Sequence, residues 1–280
     1  MDPYTPFGRA SVTVRSAARG RTLFKPPARF RRMKLGTTLG PNRHLVGKET
    51  SDFDFVEPAL NTRDCPIERF DATEYRAKLD AADLDCTVHL PYFPNLATSV
   101  PEVDAAMRQY QERALAKAAT LGAEVGVVHA SVKVQDERHR ESFVEQASWL
   151  ADACRDHGLA LAIENLGHTK SGFPLDDVAE IAREAGSSVC FDVGHAYREG
   201  GQAAIEAFLA DHGDLVRHLH LHDARDRGDD HIPIGTGTVE FEPVMAWAKG
   251  RAVTVAVELL VDDYDFQRDS ARRLRELTTG

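Results

Sequence analysis

Several features that define other protein classes are missing from this 280-residue chain. No apolar run approaches the roughly 20 residues that a membrane-spanning helix needs, so we expect no membrane segment. The four cysteines form no CxxC pair and match no zinc-finger spacing, which favours reduced thiols in a cytoplasmic protein. The segment after the first predicted strand, Gly36-Thr37-Thr38-Leu39-Gly40, lacks the GxGxxG turn that is typical of a doubly wound dinucleotide-binding sheet.

Basic residues are scarce outside the amino-terminal segment. The chain has 34 Lys and Arg against 44 Asp and Glu, a formal net charge of −10, and eight of the basic residues lie within residues 1–32. Such an acidic body repels polyanions, which argues against broad nucleic-acid binding but leaves room for a local basic patch. Residues 1–32 show almost no periodicity. We interpret them as a disordered basic leader or a miscalled start, with a transit peptide as the alternative, and assign the fold to residues 33–280.

From Met33 onward, short apolar segments alternate with amphipathic ones. The strand candidates are Lys34–Leu39, Phe53–Leu60, Cys86–Tyr92, Glu124–Ala130, Leu159–Asn165, Ser187–Asp192, Val216–His222 and Ala252–Leu259. The helix candidates are Thr73–Asp83, Pro101–Leu121, Glu137–His157, Leu175–Ala185, Ala203–Asp211, Glu242–Lys249 and Phe266–Leu277. Repeats of a strand and a helix predict a parallel sheet covered by helices, and eight repeats predict a single (β/α)8 TIM barrel. An open doubly wound sheet is the alternative.

Acidic and imidazole side chains collect where the predicted strands end, which is where such barrels place their chemistry. They are Glu57, His89, His129, Glu164, Asp192, His220 and Glu258, with His195, His222, Asp229 and His231 in the following segments. A single histidine here is more often a hydrogen-bonded core residue than a ligand. A carboxylate inside an apolar strand is costly unless it is paired or binds a metal. Because six successive strands deliver such groups to one end, the set indicates a metal site.

The densest part of this set is the run His218-Leu219-His220-Leu221-His222-Asp223. Strict alternation puts its three imidazoles on one face of a strand, with His218 the deepest and the one assigned to packing. His, Asp and Glu ligands without thiolate suit Zn²⁺, Mn²⁺, Fe²⁺ or Mg²⁺. A carboxylate-rich core favours Mn²⁺ or Mg²⁺, and additional imidazole ligands favour Zn²⁺.

The order of these motifs resembles the xylose isomerase-like barrels, which include sugar isomerases, sugar epimerases and endonuclease IV. The motifs that carry the resemblance are Ile163-Glu164-Asn165, Phe191-Asp192-Val193-Gly194-His195, His220-Leu221-His222-Asp223, and His231 followed by Pro233-Ile234-Gly235-Thr236-Gly237. The resemblance spans residues 34 to about 260. It is more specific for the fold than for the reaction.

Resemblance to the sugar isomerases and epimerases implies one divalent metal ion. Its ligands would be Glu164, Asp192, His220 and Glu258. Glu164 and Glu258 would be the catalytic residues, moving protons of a ketose through an enediolate. Glu57 and His195 would contact the sugar, and His222 would lie behind the ligands or also contact substrate. The resemblance also leaves room for a homo-oligomer.

Resemblance to endonuclease IV implies three Zn²⁺ ions and hydrolysis of DNA beside an abasic site. The first ion would be held by His89, His129 and Glu164, the second by Glu164, Asp192, His220 and Glu258, and the third by His195, Asp229 and His231. Tyr92 and Phe93 could form a wedge into DNA. The acidic body and short early loops favour the isomerase or epimerase, with the AP endonuclease as the alternative. A metal-binding barrel without catalysis is the third hypothesis.

Overall fold

A computed structural model of the chain describes residues 32–39, 46, 50, 52–60, 66–167, 172–225, 230–261 and 263–279. The strands are β1 (Lys34–Thr38), β2 (Phe55–Glu57), β3 (Asp85–Cys86), β4 (Val88–His89), β5 (Val125–His129), β6 (Ala160–Glu164), β7 (Ser188–Asp192), β8 (Val216–Leu221) and β9 (Thr254–Val257). They form one sheet in the order β3-β2-β1-β9-β8-β7-β6-β5-β4, and every pair is parallel. The predicted TIM barrel is confirmed.

The barrel closes through a strand that the sequence predicts as one element and that the structure divides at Thr87. Its first half, β3, pairs with β2, and its second half, β4, pairs with β5. A bridge between Ala59, which follows β2, and His89 of β4 closes the barrel. Thr87 interrupts the strand where its hydroxyl donates a 2.6 Å hydrogen bond to Glu57 Oε2 inside the barrel.

Helices cover the outside of the barrel. They are α1 (Ala72–Ala81), α2 (Pro101–Leu121), α3 (Glu137–Asp156), α4 (Leu175–Ala185), α5 (Val193–His212), α6 (Glu242–Ala248) and α7 (Asp265–Thr279). The prediction for α5 was wrong at its start, because the helix begins directly after Asp192 rather than near Ala203. Asp192 caps this helix by accepting a hydrogen bond from the His195 N–H, and a kink at Gly200 and Gly201 separates its two halves. Among the described residues, no helix is both long and apolar enough to cross a membrane.

The main apolar core lies between the strands and the helices, and a smaller cluster fills the barrel. The inner cluster consists of Val125, Val127, Ala162 and Cys190. In the described part of the chain, Cys86, Cys154 and Cys190 are buried thiols without disulfide bonds, in agreement with the expected reduced state. Cys65, like most of the predicted leader, lies outside the described residues.

Gly36 in β1 allows the ring of Phe55 to lie inside the barrel. A Cβ atom at Gly36 would lie 2.5 Å from two ring carbons of Phe55 and from its carbonyl oxygen. Phe55 is fully buried, and its ring meets that of His218 edge-on with centroids 6.0 Å apart. The small residue in β1 therefore helps to set the interior layer on which the polar end of the barrel rests.

We predict that Gly36→Ala lowers the free energy of unfolding by about 1–3 kcal/mol, because the backbone carbonyl of Phe55 cannot move aside. Urea denaturation followed by circular dichroism measures the change. Gly126→Ala is the matched control, since its Cβ would meet side-chain atoms rather than backbone, of Leu90 at 3.0 Å and of Leu159 at 3.7 Å. Equal stability losses in the two variants would contradict the predicted close approach.

Candidate metal centre

Strand register brings the predicted ligands to one end of the barrel. Glu164, the last residue of β6, lies opposite His129 of β5. Asp192, the last residue of β7, lies opposite His220 of β8. Glu258 follows β9, and its N–H donates to the carbonyl of Leu221 at 3.0 Å. His89, the last residue of β4, lies beside β5. Side chains from six successive strands therefore meet at one end of the barrel, as the sequence predicts.

The central group consists of Glu164, Asp192, His220 and Glu258, which each offer one ligand atom within 4.8 Å of the others. His220 Nδ1 lies 3.1 Å from Glu258 Oε2 and 3.5 Å from Glu164 Oε1. Asp192 Oδ2, His220 Nδ1 and Glu258 Oε2 are all buried, yet none makes a well-aligned hydrogen bond. Buried polar atoms are normally satisfied, so lone pairs converging in this way fit a divalent cation.

The bridging group consists of His89, His129 and Glu164. Its two Nε2 atoms lie 3.2 Å (His89) and 3.5 Å (His129) from Glu164 Oε2. The other oxygen of Glu164 faces His220 in the central group. Glu164 thus presents one oxygen to each of two ligand groups, as a bridging carboxylate would.

The three-histidine group consists of His195, His222 and His231. The rings of His222 and His231 are stacked with centroids 3.8 Å apart. His222 Nε2 lies 3.2 Å from Asp192 Oδ1, and His231 Nδ1 lies 3.8 Å from Glu258 Oε2, so this group adjoins the central one. Asp229, the remaining predicted ligand, lies outside the described residues. His222, which the sequence placed behind the ligands or against substrate, is found within this group.

Three of these imidazoles have one nitrogen engaged by a backbone carbonyl. The Nδ1 atoms of His89, His195 and His222 lie 3.0, 3.0 and 3.2 Å from carbonyl oxygens. A carbonyl can only accept, so Nδ1 carries a proton, and in the neutral ring Nε2 is the nitrogen with the lone pair. Each ring is therefore fixed in a form that can bind a metal through Nε2.

Burial and neighbouring charge set the protonation of these groups. Burial alone would lower the pKa of His89, but its hydrogen bond to Glu164 raises that pKa. Burial lowers the pKa of His129 to about 4, and it also lowers the pKa of His195, so both rings are neutral near pH 7. Burial alone would raise the pKa of the Glu164 carboxyl, but His129 and His220 hold that pKa well below its usual range. Burial likewise opposes ionisation of Glu258, but the nearby His220 outweighs this effect and lowers the pKa of the Glu258 carboxyl. Ionised carboxylates and neutral imidazoles are the ligand forms of these side chains.

The model of the xylose isomerase-like TIM barrel family matches residues 49–276. The chain belongs to this family. A probable endonuclease 4 from Mycobacterium ulcerans is 26% identical over 258 residues, covering 87% of this chain and 98% of that protein. An uncharacterized protein from Methanocaldococcus jannaschii is 28% identical over 103 residues, 35% of each chain. The solved structure of a D-tagatose 3-epimerase-like protein superposes with a TM-score of 0.73 and 20% identity, covering 88% of this chain and 97% of that one.

Within this xylose isomerase-like barrel, Asn165 is a site residue that motif analysis gave no role. Its side chain accepts from the N–H of Asp192 at 2.8 Å and donates to the Asp192 carbonyl at 2.9 Å, while its carbonyl engages His195. Gly194 is required nearby because a Cβ there would lie 2.1 Å from the ring of His222. The sequence signal was the Glu164-Asn165 pair, in which Asn165 holds the backbone of Asp192 at the end of the next strand.

Glu57 lies on the far side of His220 from the central group. It is 1% exposed, and its Oε1 lies 2.9 Å from His220 Nε2. The predicted contact between Glu57 and a sugar is incompatible with this placement, because the imidazole of His220 stands between Glu57 and the three carboxylates. The position of Glu57 at the end of a strand identified it as a site residue. The sequence does not show on which side of the His220 ring its carboxylate lies.

Tyr92 and Phe93 stand at the mouth of the barrel beside the bridging group. The Tyr92 ring stacks on His129 with centroids 4.2 Å apart and meets His89 edge-on. Phe93 is 76% exposed. These positions are compatible with contact to a substrate above the ligands, and the predicted wedge role stays a prediction.

Asp223 anchors the loop that carries His231. Its Oδ2 accepts from the N–H groups of Gly235 and Gly237, both at 2.8 Å, and its Oδ1 accepts from Ala224 and Val239. The Asp223 backbone also pairs with that of Ile232. The carboxylate thus ties β8 to both sides of the Gly-rich turn and holds His231 against His222.

We predict that Asp223→Asn frees this loop, because an amide NH2 would face two backbone N–H donors in place of an acceptor. The free energy of unfolding should fall by about 1–3 kcal/mol, and hydrogen exchange at Gly235 and Gly237 should accelerate, as measured by NMR. Asp230→Asn is the matched control, since Asp230 pairs with the exposed Arg225 in the same segment. Unchanged exchange at both glycines in Asp223→Asn would refute the anchoring role.

Proposed function

We propose that this chain is a metal-dependent phosphodiester hydrolase that holds three divalent ions, with Zn²⁺ the favoured metal. The observation that carries the proposal is the continuity of the three ligand groups. Glu164 joins the bridging group to the central group, and Asp192 and Glu258 join the central group to the three-histidine group. An enzyme with one metal needs only the central group as ligands, so the five further imidazoles would have to contact substrate or support the ligands.

The donor set also supports this choice of metal. Imidazole and carboxylate ligands without thiolate are typical of catalytic zinc sites, and the imidazoles outnumber the carboxylates. Divalent ions at such a site supply Lewis acidity toward a phosphoester. The protein's own part is to keep Glu164, Asp192 and Glu258 ionised and to present the imidazole lone pairs.

A duplex with an abasic site is the first substrate to test. The relative that aligns over nearly its whole length is described as a probable endonuclease 4. The formal net charge of −10 opposes DNA binding, so we expect contacts at the mouth, including Tyr92 and Phe93, to hold the strand. We therefore expect weak binding.

We predict that protein purified without chelators contains about three zinc ions per chain by plasma mass spectrometry, and that it nicks an abasic-site duplex. Chelation should abolish nicking, and added Zn²⁺ should restore it. An activated small phosphodiester, bis(p-nitrophenyl) phosphate, serves as a second substrate. Its cleavage without nicking would keep the hydrolase and reject DNA as substrate. One ion per chain and no phosphodiesterase activity would reject the proposal.

Variants of the outer groups separate a three-metal enzyme from a one-metal enzyme. We predict that His231→Ala and His89→Ala each lose one metal ion and reduce hydrolysis at least a hundredfold, as Glu258→Gln should. His157→Ala is the matched control, because this histidine lies at the end of α3 and pairs with Glu112 away from the site. Full activity in His231→Ala and His89→Ala, with only Glu258→Gln impaired, would show that the outer groups are dispensable.

A sugar epimerase that uses the central group alone is the second candidate. Two observations favour it: Glu164 and Glu258 approach His220 Nδ1 from different strands, and the fold matches a D-tagatose 3-epimerase-like protein along nearly its whole chain. Two carboxylates so placed could remove and return a proton beside a ketose carbonyl. D-Tagatose incubated in D2O with Mn²⁺-loaded or Mg²⁺-loaded protein distinguishes the candidates, because only an epimerase incorporates deuterium at C3.

A further inference from the structure

The interior of the barrel holds an ionic cluster below the central group that neither candidate reaction uses. Glu57 lies at its centre, with His218, Thr87 and Thr254 around it. Glu57, His218 and Thr254 are each no more than 1% exposed. A carboxylate buried so deeply costs several kcal/mol unless every acceptor position is used, so its partners define its role.

All three close partners of Glu57 are able to donate. Thr87 Oγ1 donates to Glu57 Oε2 at 2.6 Å, and His218 Nε2 lies 3.0 Å from the same oxygen. His218 is held at its other nitrogen by Thr254 Oγ1 at 2.6 Å. The remaining oxygen, Oε1, is thereby directed to His220 Nε2 at 2.9 Å.

The two nitrogens of His220 face different surroundings. Nε2 faces Glu57, whereas Nδ1 faces Glu164 and Glu258. An ionised carboxylate only accepts, so either side can hold a proton of this ring in the metal-free protein. A cation among the central carboxylates would take the Nδ1 lone pair, and the proton of the neutral ring would then lie on Nε2, where Glu57 accepts it.

We propose that Glu57 is a positioning residue that fixes the tautomer and orientation of His220, so that Nδ1 is presented to a metal ion in the central group. Thr87 and His218 hold the carboxylate, and Thr254 holds His218. This inference rests on the proposed metal centre, but it holds for one ion or three, because the central group is common to both candidate functions. Carboxylate partners of this kind typically change metal affinity by 10–100-fold.

The test is the metal affinity of Glu57→Gln, measured by competition with a chromophoric zinc chelator. We expect one ion to bind about 10–100-fold more weakly, as is usual when such a partner is removed, while any other ions keep their wild-type affinity. A three-metal protein would then retain two tight ions, and a one-metal protein none. A purely structural role for Glu57 would weaken all ions together or none.

Asp104→Asn is the matched control for removing a buried carboxylate charge. Asp104 is 5% exposed and accepts from the N–H and hydroxyl of Thr98 and the hydroxyl of Ser142, outside the barrel. We expect this variant to lose stability but to keep every metal affinity. If Asp104→Asn also bound one ion selectively more weakly, the positioning role assigned to Glu57 would be overturned.

A second measurement uses the wild-type protein, so it does not depend on the folding of a variant. Long-range ¹H–¹⁵N NMR of the histidine rings reports which nitrogen carries the proton, with His220 assigned from the signal lost in His220→Asn. Protonation of His220 at Nε2 supports the proposal, and protonation at Nδ1 in the metal-loaded protein overturns it. Wild-type affinity in a folded Glu57→Gln also overturns it. A wild-type protein that binds no metal would reject the proposed function, while the ring signals would still test the contact between Glu57 and His220.

Discussion

The buried carboxylate of Glu164 is the group on which the candidate site depends. It is 1% exposed, and its partners His89, His129 and His220 come from β4, β5 and β8. An ionised carboxylate in such a position is tolerated only if oppositely charged or hydrogen-bonding groups surround it. Closure of the barrel and stability of this charge therefore require each other: the strands must meet in the observed register for Glu164 to stay ionised.

The charge balance at the central group explains why a cation suits it. Burial disfavours the charged form of His220, yet the adjacent Cys190 sulfur and the carboxylates of Glu258, Glu57 and Glu164 raise its pKa well above the usual range. In the metal-free protein a protonated imidazole thus compensates part of the negative charge. A divalent ion held by these residues would supply more positive charge at the same place, and it would need the neutral ring of His220 as ligand.

The sequence predicted the barrel and most of the site because both depend on short-range patterns. Parallel strands repeat with their helices, and a polar residue at the end of each strand must lie at the same end of the barrel. Other features depend on contacts between distant segments. Asp192 was recognised as the end of a strand. Its second role, as the cap of α5, depends on the helix beginning directly after that strand, which the sequence pattern did not predict. The position of Glu57 behind His220 depends on closure at Thr87, and the stacking of His231 on His222 depends on the hydrogen bonds of Asp223.

The same central group serves either candidate chemistry, so the choice between them depends on the surrounding imidazoles. His89, His195 and His222 each have Nδ1 engaged by a backbone carbonyl, which leaves Nε2 facing a ligand group. Three separate backbone carbonyls on different loops produce this same result. Metal-binding imidazoles commonly have their other ring nitrogen held in this way, which supports the proposal of three ions over that of one.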